Sequence, residues 1–402
     1  MKILVLSPKP PWPPHDGGAV ATMRCIEGLA ASGASVSLLA MRTEKHGKDQ
    51  NAGAGTKAFL EQYQAVNVDT RIRPLRMLGN LLFSDEPYDL VRFRSPQFSE
   101  ALRSLIAHEE FKIIQCEGLL FALYLDEIRQ ITSAPVVLRA HNIEHRIREM
   151  MAENFAGRVR KAYLRNLSLR IRKLETDAAQ RFDAVVPISE PDRKWFSSIS
   201  SGRPVMLSET GADAAEYKDE PEELTLRVGF IGALNWQPNL EGIKWFLSRV
   251  WPCVAMAVPS ATLHIAGRGA PASAKKWLHG QKVFFEGEVD DARRFMASMN
   301  VLIAPLFAGS GLRIKIIEAM SIGRTVVATP VAVSGLSAVD RREIIIAADP
   351  GSFCRALTEV LQNPALRAST GEAAVALVRK CYDNRARTAE LYQFYKELSH
   401  DR

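Results

Sequence analysis

Pro305-Leu-Phe-Ala-Gly-Ser-Gly-Leu-Arg-Ile-Lys-Ile-Ile-Glu-Ala-Met320 leads from an apolar run into a helical pattern through a glycine loop. Backbone N–H groups at a helix start attract anions, and glycines let a phosphate approach the backbone closely. Arg313 and Lys315 place cations in the first turn, which is unfavourable for the helix unless an anion binds there. Glu318 follows Gly311 by about two turns, and a carboxylate among apolar neighbours needs a hydrogen-bonding partner such as a sugar diol. The stretch therefore predicts a site for a nucleotide diphosphate and its sugars.

The binding residues that we predict from this stretch are Ser310, Gly311, Leu312, Arg313, Lys315 and Glu318. A structural alternative stays open, because Lys315 and Glu318 are three residues apart and can form an ordinary ion pair on a helix. The combination of a glycine loop, two cations and one glutamate agrees better with a single nucleotide ligand.

Short apolar runs alternate with helical patterns on both sides of this stretch. In the first half, strands are predicted over Lys2–Leu6, Ser35–Ala40, Lys112–Gln115, Pro135–Leu138, Asp183–Pro187 and Arg203–Leu207. In the second half, they are predicted over Leu226–Ile231, Thr262–Ala266, Val283–Glu286, Val301–Pro305, Thr325–Ala328 and Glu343–Ala347. Nearly continuous apolar strands are typical of parallel sheets buried on both faces. Two separate series of them predict an α/β protein with two doubly wound, Rossmann-like domains facing each other across a cleft.

The domain boundaries follow from changes in composition along the chain. We predict an N-terminal domain over residues 1–207 and a polar, acidic linker over 208–224. A second domain, which binds the nucleotide sugar, is predicted over 225–380. The helix over 381–402 has no strand after it and is expected to pack back towards the N-terminal domain.

The composition excludes several protein classes. With 402 residues, 47% of them hydrophobic and 24% charged, the chain can bury a sizeable core and does not resemble a disordered protein. Its apolar runs are too short to span a membrane, and the first residues reach Pro8 before any signal-peptide core is formed. The five cysteines are scattered without a CxxC pair, so we expect neither a zinc site nor a disulfide framework. These features predict a reduced, cytoplasmic location.

The positive charge is concentrated in one part of the chain. Residues 139–173 contain ten Lys and Arg residues against three Glu residues, an excess equal to the whole net charge of +7. Within it, Arg158–Lys173 interleaves cations with apolar residues, a pattern that suits an anionic membrane surface or a lipid-pyrophosphate acceptor. The alternative is a solvated helix whose apolar side packs on the domain. Nucleic acid is disfavoured because nothing resembles a base-reading module.

Two further groups are predicted at strand ends of the first domain. Gly17 and Gly18 close a proline-rich loop that follows the first strand, where they open the backbone at a helix start. A plain turn is the alternative. His141 follows the predicted strand Pro135–Leu138 and is a candidate catalytic residue, with a structural histidine as the alternative. The chain has no D-x-D motif, so we predict no catalytic metal and no cofactor beyond the nucleotide sugar as co-substrate.

The stretch 305–320 resembles the donor signature of the family-4 retaining glycosyltransferases of the GT-B fold, of the bacterial polysaccharide and glycan-assembly type. Further blocks of the resemblance are Gly229–Gly232, Leu263–Gly267, Phe284–Asp290, Arg139–His145, Pro187–Ser189 and Gly323–Thr329. Together with the residues above, the resemblance implies donor binding by Gly17, Gly18, Gly232, Asn235, Gly267 and Gly287. It also implies that His141 contacts the donor sugar and that Glu318 binds the ribose.

This chain departs from the family pattern at two places. The family has two glutamates eight residues apart, but Ser310 stands at the first position. The family also carries an Arg and a Lys after the Gly232 strand, where this chain has no cation. We therefore expect Arg313 and Lys315 to compensate by stabilising the leaving diphosphate, and assign them with His141 as catalytic.

These features predict an enzyme that moves a sugar from a UDP- or GDP-sugar to an acceptor hydroxyl, and the resemblance implies that it does so with anomeric retention. The resemblance places it in exopolysaccharide or lipid-linked glycan assembly, in the cytoplasm and peripheral at the inner membrane face. The alternatives are a GT-B nucleotide-sugar epimerase and a non-catalytic nucleotide-sugar-binding protein. A nicotinamide oxidoreductase is disfavoured because no G-x-G-x-x-G follows the first strand.

Overall fold

The computed structural model of the protein describes residues 1–14, 16–44, 59–154, 157–213, 226–308 and 312–400. They form two compact units: Met1–Thr210 together with Asn384–Arg402, and Gly211–Asp383. Each unit contains one six-stranded sheet in which all neighbouring strands are parallel. The predicted α/β class with two doubly wound sheets is confirmed. No helix in the described ranges has the length and apolar character needed to cross a bilayer.

The first unit has the strand order β3-β2-β1-β4-β5-β6. Its strands are β1 Lys2–Ser7, β2 Ser35–Arg42, β3 Gln62–Asn67, β4 Ile113–Glu117, β5 Val136–Ala140 and β6 Ala184–Pro187. Its helices are α1 Gly17–Ala31, α2 Pro74–Phe83, α3 Tyr88–Val91, α4 Pro96–His108, α5 Leu125–Ile131, α6 Glu144–Asn154, α7 Arg158–Arg181, α8 Glu190–Ile199 and the C-terminal α16 Asn384–His400. A 3₁₀ helix covers Leu119–Tyr124.

Strand β1 shows why these residues form a central strand. Its side chains alternate between the two faces of the sheet, so that Leu4 and Leu6 join one apolar cluster while Ile3 and Val5 join another. All four are fully buried. Because both faces are covered, a continuous apolar run is required, as the sequence predicted. Helix α16 supplies Leu391 and Tyr395 to the cluster of Ile3 and Val5, and packs against α1.

The second unit has the strand order β12-β11-β10-β7-β8-β9. Its strands are β7 Arg227–Ile231, β8 Thr262–Ala266, β9 Val283–Gly287, β10 Val301–Ala304, β11 Thr325–Ala328 and β12 Ile345–Ile346. Its helices are α9 Gln237–Arg249, α10 Trp251–Ala257, α11 Ala272–Lys275, α12 Ala292–Ala297, α13 Ile314–Ser321, α14 Pro350–Gln362 and α15 Pro364–Cys381. Apolar clusters again pack around the sheet.

Three local predictions are wrong. Strand β3 was not predicted, because it is the sheet edge next to β2 and is partly exposed and polar. Arg203–Leu207 does not form a regular strand: it makes an isolated bridge from Val205 to β6, and the Met206 N–H donates to Val185 O at 3.0 Å. The sequence predicts one long, arginine-rich helical run over Ile143–Arg181, but the chain forms two helices there, α6 and α7. Gly157 precedes α7 with φ +117°, a conformation that a continuing helix cannot contain.

The expectation of no disulfide is also wrong. Cys253 on α10 and Cys354 on α14 are joined by a disulfide although they are 101 residues apart in sequence. The two helices pack against each other, which brings the two Cα atoms to 6.2 Å. Spacing along the chain does not reveal a pairing that only the tertiary fold creates. The thiols of Cys25, Cys116 and Cys381 are free.

Candidate functional site

The second sheet changes the direction of its connections between β7 and β10. Strand β7 lies beside both β10 and β8, and the loops that follow neighbouring strands diverge at such a switch point. In open α/β sheets, ligands bind beyond the carboxyl ends of the strands at this place. Gly232 and Asn235 follow β7, and Arg313 follows β10. The structure thus places these predicted residues in loops that leave the same part of the sheet edge.

The predicted glycines Gly232, Gly267 and Gly287 lie at the carboxyl ends of β7, β8 and β9. The Gly232 N–H donates to Ala266 O at 3.0 Å, and the Gly267 N–H donates to Gly287 O at 2.6 Å. A Cβ on Gly267 would lie 1.9 Å from Gly232 O, closer than any side chain can approach. The fold itself therefore requires a glycine at 267, whether or not a ligand binds.

Arg313 immediately precedes α13 and lies beside an aromatic ring that was not among the predicted site residues. Its guanidinium carbon is 6.0 Å from the centre of the Trp236 ring, within the range of a cation–π contact. Trp236 follows the predicted residue Asn235, and both side chains are exposed. Leu312 packs in the core of the unit, so its side chain faces the interior rather than the site. Ser310 and Gly311 lie outside the described residues.

Helix α13 carries the other two predicted residues. Its isoleucines at 314, 316 and 317 are buried, and they fix the helix against the sheet. Glu318 is almost fully buried, and its Oε2 lies 2.8 Å from Lys315 Nζ, which is one-third exposed. The ion pair that the sequence left open is therefore formed. It places a half-buried cation and a buried carboxylate side by side within two turns of the helix start.

The first sheet has its own switch point between β1 and β4. The loop after β1 leads into α1, which begins at Gly17 and is capped by the Asp16 side chain accepting from an N–H of the first turn. Lys9 Nζ forms an ion pair with Asp16. A Cβ on Gly18 would lie 3.3 Å from Lys9 Nζ and 3.4 Å from His141 Nδ1. The structure thus brings the predicted Gly18 and His141 together, with Lys9 as a third member.

His141 is held by a buried carboxylate, Glu117, that was not among the predicted site residues. Glu117 ends β4, and its Oε2 accepts from His141 Nε2 at 2.6 Å, from Thr22 Oγ1 at 2.9 Å and from Arg139 Nη1 at 3.1 Å. Burial alone would raise the pKa of Glu117, but the Arg139 charge and the hydrogen bonds from His141 and Thr22 outweigh it and hold the pKa at about 2. A charged residue at the end of an apolar strand, opposite Arg139 on β5, was the available signal.

A contact between α6 and α7 involves Glu144 and His145, which follow His141 closely in sequence. Glu175 of α7 accepts hydrogen bonds from the backbone N–H groups of Glu144 at 2.6 Å and His145 at 3.2 Å. It therefore caps the N-terminus of α6 by pairing two N–H groups of its first turn. Its Oε2 also lies 2.6 Å from His145 Nδ1. This arrangement ties α6 to α7.

The basic helix α7 buries its apolar side on the first unit. Leu164, Leu167 and Ile171 are buried, as in the alternative that the sequence left open. Arg158, Arg160 and Arg165 are exposed. Across the described ranges, no three His, Cys, Asp or Glu side chains are arranged to hold a metal ion.

Comparison with known sequence families assigns both halves of the chain. Residues 16–205 match the family described as "Glycosyl transferase 4-like domain". Residues 225–363 match "Glycosyl transferases group 1". A Klebsiella pneumoniae relative described as "Uncharacterized 44.6 kDa protein in cps region" is 22% identical over 399 residues, which cover 96% of this chain and 97% of that protein.

Solved structures agree with the family match. Sucrose-phosphate synthase from Thermosynechococcus elongatus is 17% identical, with a TM-score of 0.74 and complete coverage of both chains. Anabaena HepE, solved in complex with UDP and glucose, is 17% identical with a TM-score of 0.68, covering 99% of this chain and 100% of that one. At this identity the likeness establishes the fold. The chain belongs to the family-4 glycosyltransferases and has the GT-B fold.

Proposed function

We propose that this glycosyltransferase moves a hexose from a nucleotide-diphosphate donor to an acceptor hydroxyl with retention of the anomeric configuration. We place the reaction in exopolysaccharide or lipid-linked glycan assembly. The family match supports sugar transfer, and the Klebsiella pneumoniae relative in a cps region supports the pathway class. The observation that carries the proposal is the position of Arg313, Lys315 and Glu318 on the loop and helix that follow β10, at the switch point with β7.

The proposed donor site holds the diphosphate on cations. Arg313 and Lys315 lie at and just inside the start of α13, where the helix dipole also favours an anion. In the transition state, negative charge grows on the leaving diphosphate, and fixed cations stabilise it without reorganisation. Trp236 restricts the Arg313 guanidinium from one side. The chain lacks a cation just after β7, so this pair carries the function that the family assigns to that position.

Donor binding also changes the partners of Lys315 and Glu318. The carboxylate of Glu318 is buried and neutralised by Lys315 at 2.8 Å. A diphosphate attracts Lys315, and a ribose diol donates two hydrogen bonds to the carboxylate that Lys315 leaves. A buried carboxylate is stable only while it is paired or hydrogen-bonded. The site therefore favours a ligand that carries both an anion and a diol.

We infer retention from the resemblance to the retaining glycosyltransferases of family 4. The leaving diphosphate accepts the acceptor proton on the face from which it departs. His141 contacts the donor sugar, and Gly17 and Gly18 border the phosphates, as the resemblance implies. We propose that UDP or GDP is the nucleotide and that no metal ion takes part.

We also propose that the protein works in the cytoplasm, in peripheral contact with an anionic membrane through Arg158–Lys173. Leu164, Leu167 and Ile171 of α7 are buried, so this contact is mainly electrostatic and falls with ionic strength. Arg158 and Arg165 are exposed on this helix.

A donor screen followed by a transfer assay tests the proposal. UDP, GDP and their sugars are compared by thermal shift, where a ligand at a hundred times its Kd stabilises the fold by about 2.7 kcal/mol. The stabilising donor is then incubated with glycan acceptors, and the anomeric configuration of the product is read by NMR. An inverted product contradicts retention. Turnover of the donor without any acceptor indicates an epimerase, and donor binding without turnover indicates a binding protein.

A further inference from the structure

Helix α2 presents an apolar surface to solvent. None of its side chains is buried, although all ten residues of the helix are described. Leu75 is 85% exposed, Leu82 is 63% exposed and Phe83 is 88% exposed. Of the fourteen large apolar side chains that are exposed in the described ranges, five lie within residues 72–83. Single exposed apolar residues are normal, but a contiguous group marks an interaction surface.

The spacing of these residues shows that the helix is turned with its apolar side outward. Leu75, Leu78 and Leu82 are separated by three and four residues, which places them in one stripe on a helix. The opposite side of α2 contacts α7. There Arg170 donates to the carbonyl oxygens of Asn80 at 3.1 Å and Leu81 at 2.8 Å. A helix that only covered the domain would bury its leucines and expose its polar residues.

A cluster of arginines borders the same segment. A cavity of about 330 Å³ is lined by Asp69 and by five arginines, namely Arg71, Arg73, Arg76, Arg92 and Arg94. Asp69 pairs with Arg71 at 2.8 Å and with Arg73 at 3.0 Å, and holds both side chains at the start of α2. Glu86 also pairs with Arg94 at 2.7 Å and Glu44 with Arg71 at 3.6 Å. Five arginines therefore face three carboxylates, and this excess of positive charge favours anions.

We infer that α2 and the arginines at its start form a docking surface for an anionic phospholipid bilayer. The leucine stripe and Phe83 enter the boundary between headgroups and acyl chains, and Arg71, Arg73 and Arg76 bind lipid phosphates. An interfacial helix of this kind buries its apolar side about 5–10 Å deep while its cations stay at headgroup level. Charge complementarity selects the bilayer over a neutral partner. The inference deepens the electrostatic contact proposed for α7, since it adds a contiguous apolar stripe, whereas the exposed apolar residues of α7, Val159 and Leu169, are ten positions apart.

Vesicle flotation with the full chain tests the apolar part of this surface. Vesicles contain phosphatidylcholine alone or mixed in equal parts with phosphatidylglycerol. In the double variant Leu75→Glu and Leu82→Glu, we expect binding to the mixed vesicles to fall by at least about tenfold, because each leucine loses its apolar contact. The matched control is Met256→Glu, an apolar residue that is 79% exposed in the second unit and should leave binding unchanged.

The charged part has a separate variant. We expect Arg73→Gln with Arg76→Gln to weaken binding to the mixed vesicles by about tenfold and to reduce its salt dependence. The control is Arg355→Gln, at an exposed arginine of the second unit. Binding of the wild type to phosphatidylcholine alone as strongly as to the mixture overturns the charge argument.

Two results overturn the inference as a whole. One is that the Leu75→Glu, Leu82→Glu variant binds the mixed vesicles as strongly as the wild type does. The other is a wild-type dimer in light scattering that this variant converts to a monomer without changing vesicle binding, which identifies α2 as a protein interface. The thermal shift with nucleotide sugars is measured on the same variants in solution. Failure of the membrane inference leaves that shift intact, whereas failure of the proposed function abolishes it in every variant.

Discussion

Glu117 Oε2 accepts a hydrogen bond from His141 Nε2 at 2.6 Å, beside the guanidinium of Arg139 at 3.1 Å. In its neutral form His141 must therefore carry its proton on Nε2, and Nδ1 is the ring nitrogen on the side of Gly18. The same unit contains a second Glu–His contact with the opposite arrangement, because His145 uses Nδ1 towards Glu175. Glu117 is a positioning residue for His141 rather than a group that meets the substrate.

Glu117→Gln is expected to destabilise the protein by about 3 kcal/mol at neutral pH, because it leaves the buried charge of Arg139 without its partner. Urea unfolding measures this change. The control is Glu86→Gln, which removes a half-exposed ion pair with Arg94 and should cost less than about 1 kcal/mol. Equal costs for the two variants would show that the Glu117 contact contributes no more than a surface pair.

The same residue predicts how stability depends on acid. The folded pKa of Glu117, about 2, lies below its ordinary value of 4.5. Its contribution is therefore fully present above about pH 4.5 and is lost as pH falls towards 2. Over that range, the wild type should lose stability relative to Glu117→Gln, and the two unfolding free energies should converge. A constant difference between them from pH 5 to pH 2.5 would contradict this assignment.

Glu209 has the opposite dependence on pH. Burial raises the pKa of its carboxyl group to about 7, with Glu190 and Glu390 adding repulsion and Arg387 opposing them. The folded state then holds a proton that the unfolded state has lost, so stability falls as pH rises from about 4.5 to 7. Glu209→Gln should raise Tm at pH 8 and leave it unchanged at pH 4. A lower Tm for this variant at pH 8 would refute the prediction.

Arg313→Ala and Lys315→Ala test the donor site. Each substitution removes a charge-assisted contact worth about 1.5–3 kcal/mol, so kcat/KM for the donor should fall by about ten- to a hundredfold. The comparison is made as kcat/KM for the donor, with donor affinity measured in parallel by calorimetry. Lys276→Ala removes an exposed cation of the same unit and serves as the control. Unchanged donor affinity and turnover in both site variants would show that other groups hold the diphosphate.

Gly267→Ala should destabilise the second unit by about 2–3 kcal/mol, because the added Cβ meets the backbone oxygen of Gly232 at 1.9 Å. The control is Gly79→Ala on α2, where a Cβ meets nothing within 4 Å. That change should stabilise the protein by about 0.5–1 kcal/mol. Thermal unfolding followed by circular dichroism measures the stability of both variants. If Gly267→Ala is as stable as the wild type, the ends of the two strands can move apart to accept the Cβ.

The disulfide between Cys253 and Cys354 closes a loop of about a hundred residues. A reductant should therefore lower Tm by about 5 °C or more, since such a cross-link contributes about 2–5 kcal/mol. In Cys253→Ala, the reductant should have no further effect, whereas Cys381→Ala should behave like the wild type. Mass spectrometry of unreduced peptides checks the pairing directly, and a free Cys354 thiol in the purified protein would disprove it.

The central strands could be predicted from sequence because each is buried on both faces, as β1 shows with Ile3, Leu4, Val5 and Leu6. The edge strand β3 could not, since an edge exposes polar residues and loses the apolar signature. Lys315 and Glu318 could be placed together because helical spacing is local.

Contacts between distant segments were not predictable in the same way. Glu117 meets His141 only because β4 and β5 are neighbours in the sheet. Trp236 reaches Arg313 only because β7 lies beside β10. The sequence also predicted the apolar positions of α7 as a candidate outer surface. The fold buries Leu164, Leu167 and Ile171, leaves Val159 and Leu169 exposed, and presents a contiguous apolar stripe on α2 instead. Periodicity identifies an amphipathic helix but not which of its sides is covered.

Helix α16 completes the first unit although it is made after the whole of the second. Leu391 and Tyr395 fill the cluster that Ile3 and Val5 begin. During synthesis, one hydrophobic face of the N-terminal sheet therefore stays incomplete until the polypeptide beyond residue 383 has left the ribosome. The order of synthesis thus allows the second unit to fold before the first, because the first unit is complete only when its C-terminal segment has been made.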